Sequence, residues 1–231
     1  MAGPFEPGFE DLPPIVPIFP LAGTVLMPGA RLPLNIFEPR YLAMTRDALA
    51  EPLRLIGMIQ PQRPGGFAGG GEAREGAAPA IYQVGCAGRI VGFDETDDGR
   101  YRIALWGVCR FRIGAELEPR HGYRRVRADW SAFAADCRRA EGARTIDRPR
   151  LQAALKSYFE MKSLSTDWQA IEQAADSILI NSLSMALPLE PSDKQALLEA
   201  GDDDARGKAL TALLEAAIHD PSGGHGAPVR H

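Results

Sequence analysis

The spacing of apolar residues changes once along this chain, from every second residue to every third or fourth, near position 148. Before that point, short apolar runs such as LPLNIF (32–37) and RYRIALWGVCRFRI (100–113) are separated by Gly, Pro and Asp. After it, stretches such as RLQAALKSYF (150–159) place apolar residues on one side of a helix. Period-2 alternation is typical of half-buried strands, and a period near 3.6 of amphipathic helices. The chain is therefore predicted to be α+β, a β-rich lobe followed by a helical bundle.

Composition along the chain sets the predicted boundaries. The β-rich lobe is predicted over 14–145 and the helical bundle over 146–219, between a flexible N-terminus at 1–13 and a disordered tail at 220–231. Inside the lobe, RPGGFAGGGEAREGAAP (63–79) is dense in Gly and Ala and is predicted to be a mobile surface loop.

Turn and strand signals organise the β-rich lobe. IVPIF (15–19) is predicted to be a strand, and Pro17 inside it indicates an edge position because proline cannot donate to a ladder. ETDDG (95–99) is predicted to be a hairpin turn. The strand after it is predicted to bury one face and expose the other, which carries Arg102, Trp106, Val108, Arg110 and Arg112.

The sequence also marks where helices begin and which residues are buried. Pro39 is predicted to lie in the first turn of a helix, where its missing N–H has no partner to lose. Asp167 is predicted to cap one continuous helix running to Leu187, with Trp168 in the core of the bundle. Cys109 is predicted to act as a small buried apolar residue.

Charge and cysteine content limit the possible functions. The formal net charge is −4, whereas a dedicated nucleic-acid binder is usually strongly basic. No apolar run approaches the ~20 residues of a membrane span, and the first residues show no secretion signal. Three cysteines leave one unpaired in any disulfide scheme, which favours a reducing compartment. A cytoplasmic protein with no membrane partner is predicted.

The motifs of common enzymes do not occur in the sequence. It contains no G-x-x-x-x-G-K-[ST] phosphate loop and no G-x-S-x-G elbow. The four histidines lack Cys or His partners at metal-ligand spacing. We therefore predict no catalytic residue, no metal and no cofactor. No group of residues in the sequence supports the hypothesis of an unrecognised hydrolase.

Three blocks carry a family resemblance. PIFPLAGTVLMPGARLPLNIFEPRYLAM (17–44) resembles the opening signature of the N-terminal domain of the Lon proteases. GRIVGFDETDDGRYRIALWGVCRFRI (88–113) is similar to the strand–turn–strand block of that family, and residues 177–215 are similar to its helical subdomain. The resemblance implies a PUA-like β-barrel packed with a C-terminal helical bundle. It also implies a stand-alone, non-enzymatic member without the ATPase and peptidase modules.

The resemblance implies a function of binding polypeptide, either unfolded or tagged, with a protease or a chaperone as further candidate partners. The alternative is an RNA-binding protein, because PUA-like barrels of other families bind RNA. The net charge argues against that alternative. Neither the oligomeric state nor the identity of the bound polypeptide is predicted.

Candidate contact residues come from three places. The first place is FEPRY (37–41). In the preferred interpretation, Phe37 and Tyr41 are core residues, and Glu38 and Arg40 fix the junction between strand and helix. In the alternative, Phe37, Arg40 and Tyr41 contact bound peptide. Trp106 is either a peptide contact or, as preferred, covered by the helices. A basic patch is predicted at Arg120, Arg124, Arg125 and Arg127. It either contacts acidic peptide or phosphate or, in the preferred interpretation, is simply the solvated face of an outer strand.

Overall fold

The computed structural model describes residues 7–62, 79–137 and 146–219. Contacts divide the chain into two compact units, residues 1–141 and 142–231. Residues 63–78 of the predicted loop, residues 1–6 and the predicted tail at 220–231 lie outside the described residues. So does the segment 138–145, where the lobe was predicted to end.

The first unit is built on one sheet of six strands. Its strands are β1 (Ile15–Pro20), β2 (Arg31–Ile36), β3 (Leu55–Ile59), β4 (Val84–Glu95), β5 (Tyr101–Arg120) and β6 (Tyr123–Asp129), and helix α1 (Pro39–Ala50) joins β2 to β3. The order is β2-β5-β4-β3-β1-β6, and β5 pairs a second time with β6. That second pairing closes the sheet into a barrel and leaves β2 outside the ring on β5.

One large aromatic side chain in the barrel interior packs directly against glycines. Phe111 is fully buried, and its ring centroid lies 5.6 Å from that of Trp130. A Cβ atom on Gly57 would come within 2.8 Å of the Phe111 ring, and one on Gly85 within 2.9 Å. Glycine at both positions therefore makes the space that the ring occupies.

Two expectations about the strands are wrong. Pro17 lies in β1, which is not an edge strand but pairs with β3 on one side and β6 on the other. The sheet tolerates Pro17 because the β3 pairing begins only at Ile18. Arg110 was predicted on the solvated face, but it is 3% exposed and forms an ion pair with Asp136, which lies in a 3-10 segment (Ser131–Cys137) after β6.

The predicted hairpin and buried face are confirmed. β4 and β5 pair across the turn at 96–100, where Gly99 has φ of 75°. Tyr101, Ile103 and Leu105 alternate as buried residues, and Cys109 is fully buried.

In residues 146–219, the described part of the second unit, the chain forms five helices. They are α2 (Arg148–Met161), α3 (Trp168–Gln173), α4 (Asp176–Ala186), α5 (Pro191–Glu199) and α6 (Asp203–His219). Asp147 and Asp167 cap α2 and α3 by accepting hydrogen bonds from backbone N–H groups. None of the described helices is long and apolar enough to cross a membrane. With the barrel, these helices confirm the α+β class.

The predicted single helix from 168 to 187 is instead two helices. Ala174 and Ala175 adopt extended backbone angles, so the chain breaks between α3 and α4. The break changes which side chains face inward, and Ile178 of α4 is 59% exposed. Trp168 is half-buried rather than a core residue, with its ring centroid 5.6 Å from that of Phe159.

Candidate functional site

The FEPRY segment forms the junction between β2 and α1. Pro39 is the first residue of α1 and Glu38 precedes it as the N-cap. Arg40 Nη2 lies 2.8 Å from Glu38 Oε2, and the Arg40 guanidinium lies 4.6 Å from the centroid of the Tyr41 ring. Tyr41 is 6% exposed and packs on Phe19, so its assignment to the core agrees with the structure.

Phe37 differs from the preferred interpretation. Its side chain is 60% exposed, so it is not a core residue. By strand alternation it follows the buried Ile36 and therefore turns away from the core. An exposed phenylalanine next to an exposed arginine, Arg40, is a feature that an apolar ligand could contact.

Trp106 lies in the middle of a cross-strand row. Its partner on β2 is Arg31, and its partner on β4 is Arg89. Residues directly opposite each other on neighbouring strands share one face of the sheet. Trp106 is 38% exposed, so it is accessible, against the preferred interpretation that it is covered.

A second exposed aromatic residue, missed in the sequence, lies on β4. Phe93 is 46% exposed and its ring centroid lies 5.1 Å from that of Tyr101. Its register partner on β5 is Ile103, which also opposes Leu34 of β2. A register shift between Ile90 and Gly92 changes the alternation of β4, so no simple pattern in the sequence marks this position.

The exposed apolar side chains do not converge on one surface. Phe93 lies in the row of Ile103 and Trp106 in a row three residues further along β5, so the two rows occupy opposite faces of the sheet. Phe37 and Trp106 lie at opposite ends of β2, which at the usual rise per residue places them about 20 Å apart. The structure thus brings Arg40 and Tyr41 together, leaves Phe37 exposed at the start of the same junction, and makes Trp106 a separate feature.

The predicted basic patch begins at a hairpin that is bound to α1. His121 and Gly122 have φ of 49° and 82°, the left-handed conformations that a tight two-residue turn needs. Asp47 of α1 accepts a hydrogen bond from the Tyr123 hydroxyl at 2.7 Å, and its Oδ2 lies 2.9 Å from His121 Nδ1 and 3.3 Å from Arg120 Nε. Arg120 is therefore engaged within the chain.

The electrostatics of this cluster follow from its contacts. Burial would raise the pKa of Asp47, but the hydrogen bonds from Tyr123 and His121, with the charge of Arg120, hold that pKa below its usual value. Burial and the hydrogen bond to Asp47 raise the pKa of Tyr123 to about 12. The cluster is consequently a structural link between α1 and the barrel.

Two further arginines of the patch are also engaged. Arg124 forms a two-pronged pair with Glu116, at 2.6 Å from Nε to Oε1 and 2.7 Å from Nη2 to Oε2, which lowers the pKa of Glu116. Arg125 donates to the carbonyl oxygen of Glu118. Arg127 is exposed. Since three of the four guanidinium groups already have acceptors, the patch is poorly suited to phosphate contacts.

Among residues 7–62, 79–137 and 146–219, no group of three or more His, Cys, Asp or Glu side chains is arranged to hold a metal ion. What remains is separate exposed aromatic side chains, Phe37 and Trp106, each near an arginine in sequence or in strand register. Each can contact a ligand, and together their chemistry suits a chain of mixed apolar and charged side chains.

Comparisons with known proteins identify relatives over most of the chain. The sequence is 27% identical over 217 residues to Lon protease 2 of Myxococcus xanthus, covering 93% of this chain and 25% of that protein. It is 29% identical over 211 residues to Lon protease 2 of Sorangium cellulosum, covering 86% of this chain and 24% of that protein. The chain thus spans about a quarter of the length of these relatives.

Solved structures share the fold. A Lon N-terminal domain protein from Xanthomonas campestris superposes with a TM-score of 0.54 at 24% identity, over 86% of this chain and 97% of that one. The N-terminal domain of the Mycobacterium avium complex Lon protease superposes with a TM-score of 0.61 at 17% identity, over 87% and 98%. These likenesses confirm the Lon N-domain fold that the sequence resemblance implies.

The profile of the substrate-binding domain of ATP-dependent protease La (Lon) matches residues 15–216, which covers the described barrel and most of the helical unit. The chain therefore belongs to the family of the Lon substrate-binding domain.

Proposed function

We propose that this chain binds unfolded or tagged polypeptide and performs no chemistry of its own. Membership of the Lon substrate-binding family carries the proposal. The exposed aromatic residues Phe37 and Trp106 support it, because recognition of varied unfolded chains needs apolar contact surface with charged groups around it. Tyr41 is too deeply buried to be a contact.

The proposal includes a cytoplasmic location and delivery of the bound chain to a partner, either a protease or a chaperone. The reducing compartment is supported by three free cysteines. Neither ATP hydrolysis nor cleavage of casein-like substrates is expected of the chain, since its sequence offers neither a phosphate loop nor a G-x-S-x-G elbow. Affinity purification from the native cell, with partners identified by mass spectrometry, tests the delivery step.

Fluorescence anisotropy tests the binding step directly. A labelled, permanently unfolded protein is titrated with the chain, and the natively folded form of the same protein serves as the ligand control. We expect saturable binding of the unfolded form, with Kd between about 10 µM and 1 mM, and weaker binding of the folded form. No saturable signal up to about 1 mM would remove the proposal and favour docking to a folded partner.

A matched set of variants locates the contact surface. Phe37→Ala and Trp106→Ala each remove an exposed aromatic side chain and should weaken binding several-fold. Ile178→Ala removes an exposed apolar side chain from α4, which belongs to the second unit, and should leave binding unchanged. Equal effects of all three variants would mean that binding has no preferred surface.

A further inference from the structure

We infer that the row Arg31–Trp106–Arg89, hereafter the arginine–tryptophan row, selects acidic segments that contain an apolar or aromatic residue. The inference rests on the proposed function and adds the chemistry of the polypeptide preferred. The row lies on three neighbouring strands, with Arg31 on β2, Trp106 on β5 and Arg89 on β4. Opposed side chains on adjacent strands lie about 5 Å apart at Cβ, so two arginine side chains leave the sheet on either side of one tryptophan.

The two arginines carry charge that the described part of the chain does not neutralise. Neither Arg31 nor Arg89 forms an ion pair with any residue of 7–62, 79–137 or 146–219, although other strand arginines such as Arg102 and Arg124 do. Arg31 is exposed and Arg89 half-buried. Within the described residues, the buried Nε of Arg89 has no hydrogen-bond partner, so packing rather than a carboxylate holds this side chain.

The floor beside Trp106 is made of small side chains. The next row on the same face consists of Pro33, Ala104 and Gly92. Arg31 Nη2 lies 3.7 Å from where a Cβ atom on Gly92 would be, so the guanidinium reaches across β5 toward β4 over this glycine. The Arg31 side chain therefore lies between Trp106 and Arg102, and the small side chains beneath it leave room for it.

The carboxylate that follows along this face, that of Asp94, already has an arginine partner. Asp94 lies one row beyond the small residues, and Arg102 Nε donates to it at 2.9 Å. It therefore does not compete for Arg31 or Arg89. Guanidinium groups form two-pronged hydrogen bonds with carboxylates, and an exposed indole binds an apolar or aromatic side chain. Together these groups match Asp or Glu residues on either side of an apolar residue.

The experiment uses three labelled unfolded peptides of identical length and apolar content, whose spacer residues are Asp, Asn or Lys. Anisotropy titrations are run at low and at physiological ionic strength. We expect the Asp peptide to bind about three- to tenfold tighter than the Asn peptide at low salt, and the Lys peptide to bind most weakly. This order opposes the net charge of −4, which by itself would repel the Asp peptide.

Variants assign the preference to the row. Arg31→Gln/Arg89→Gln should bring the affinity ratio of the Asp and Asn peptides close to one while the Asn peptide still binds. Arg31→Gln alone, at an exposed position on an edge strand, should remove part of the preference even if the double variant does not fold. Arg46→Gln, an exposed arginine on α1, is the charge-matched control and should keep the full ratio.

The outcomes separate this inference from the proposed function. If all three peptides bind with equal affinity, or if the preference survives in the folded double variant, the inference is wrong while polypeptide binding stands. If Arg46→Gln loses the preference for the Asp peptide to the same extent, the preference comes from overall charge and the inference is wrong. If no peptide binds, the proposed function itself has failed.

Discussion

Removal of Asp136 should destabilise the barrel strongly, because it is the counter-ion of a buried arginine. Arg110 Nε lies 2.8 Å from Asp136 Oδ2 and Arg110 Nη2 2.8 Å from Oδ1, and the Arg110 backbone N–H donates to Oδ2 at 3.0 Å. The two side chains are 4% and 8% exposed. The guanidinium carbon also lies 4.7 Å from the centroid of the Phe133 ring.

The size of the expected loss in stability follows from the burial of this ion pair. Asp136→Ala removes three hydrogen bonds and leaves a positive charge out of water without this carboxylate. Breaking a buried pair in this way costs about 3–5 kcal/mol, a large part of the roughly 5–15 kcal/mol that stabilises a typical domain. Replacing both partners, as in Arg110→Met/Asp136→Leu, removes the charges together and should recover part of the loss; about 1–3 kcal/mol remains, because the Arg110 backbone N–H still loses this acceptor.

Urea denaturation followed by tryptophan fluorescence measures the effect. The Trp168→Phe background leaves Trp106 and Trp130, both in the first unit, so that the signal reports the barrel. Asp94→Ala is the control, because its pair with Arg102 is solvent-exposed and should contribute under about 1 kcal/mol. A loss below about 1 kcal/mol for Asp136→Ala would refute the reasoning, since the guanidinium would then be hydrated without its partner.

Three further outcomes are expected. Trp168→Ala should lower the free energy of unfolding of the helical unit by about 1–2 kcal/mol, less than the ~3–5 of a buried tryptophan, measured by circular dichroism in urea. Gly107→Ala should cost about 3 kcal/mol or more, because its Cβ would lie 2.0 Å from the carbonyl oxygen of Met27; an unchanged melting temperature would contradict this. The lowered pKa of Asp47 stabilises the fold above its unfolded pKa and loses that effect as the pH falls below about 4. Asp47→Asn should therefore lose about 1 kcal/mol at neutral pH and show a shallower decline in acid, and an unaltered acid profile would contradict the assignment.

Local sequence rules located the elements but not their partners. The 96–100 turn, Pro39 at the start of α1 and Asp167 as a cap were predicted because each depends on a few neighbouring residues. The break at Ala174 was missed because alanine favours helix, whereas the break depends on tertiary contacts such as the hydrogen bond from Arg148 Nη2 to the carbonyl oxygen of Ala174.

The sequence by itself determined the α+β class, the position of the change from strands to helices, and the family, because hydrophobic period and a long local motif are properties of adjacent residues. Only the tertiary structure decided that Arg110 is buried, since its partner Asp136 lies 26 residues away in a segment without a strand pattern. It also decided that Arg31 and Arg89 flank Trp106, because strand register arises from pairing across the sheet and not from the order of residues within a strand.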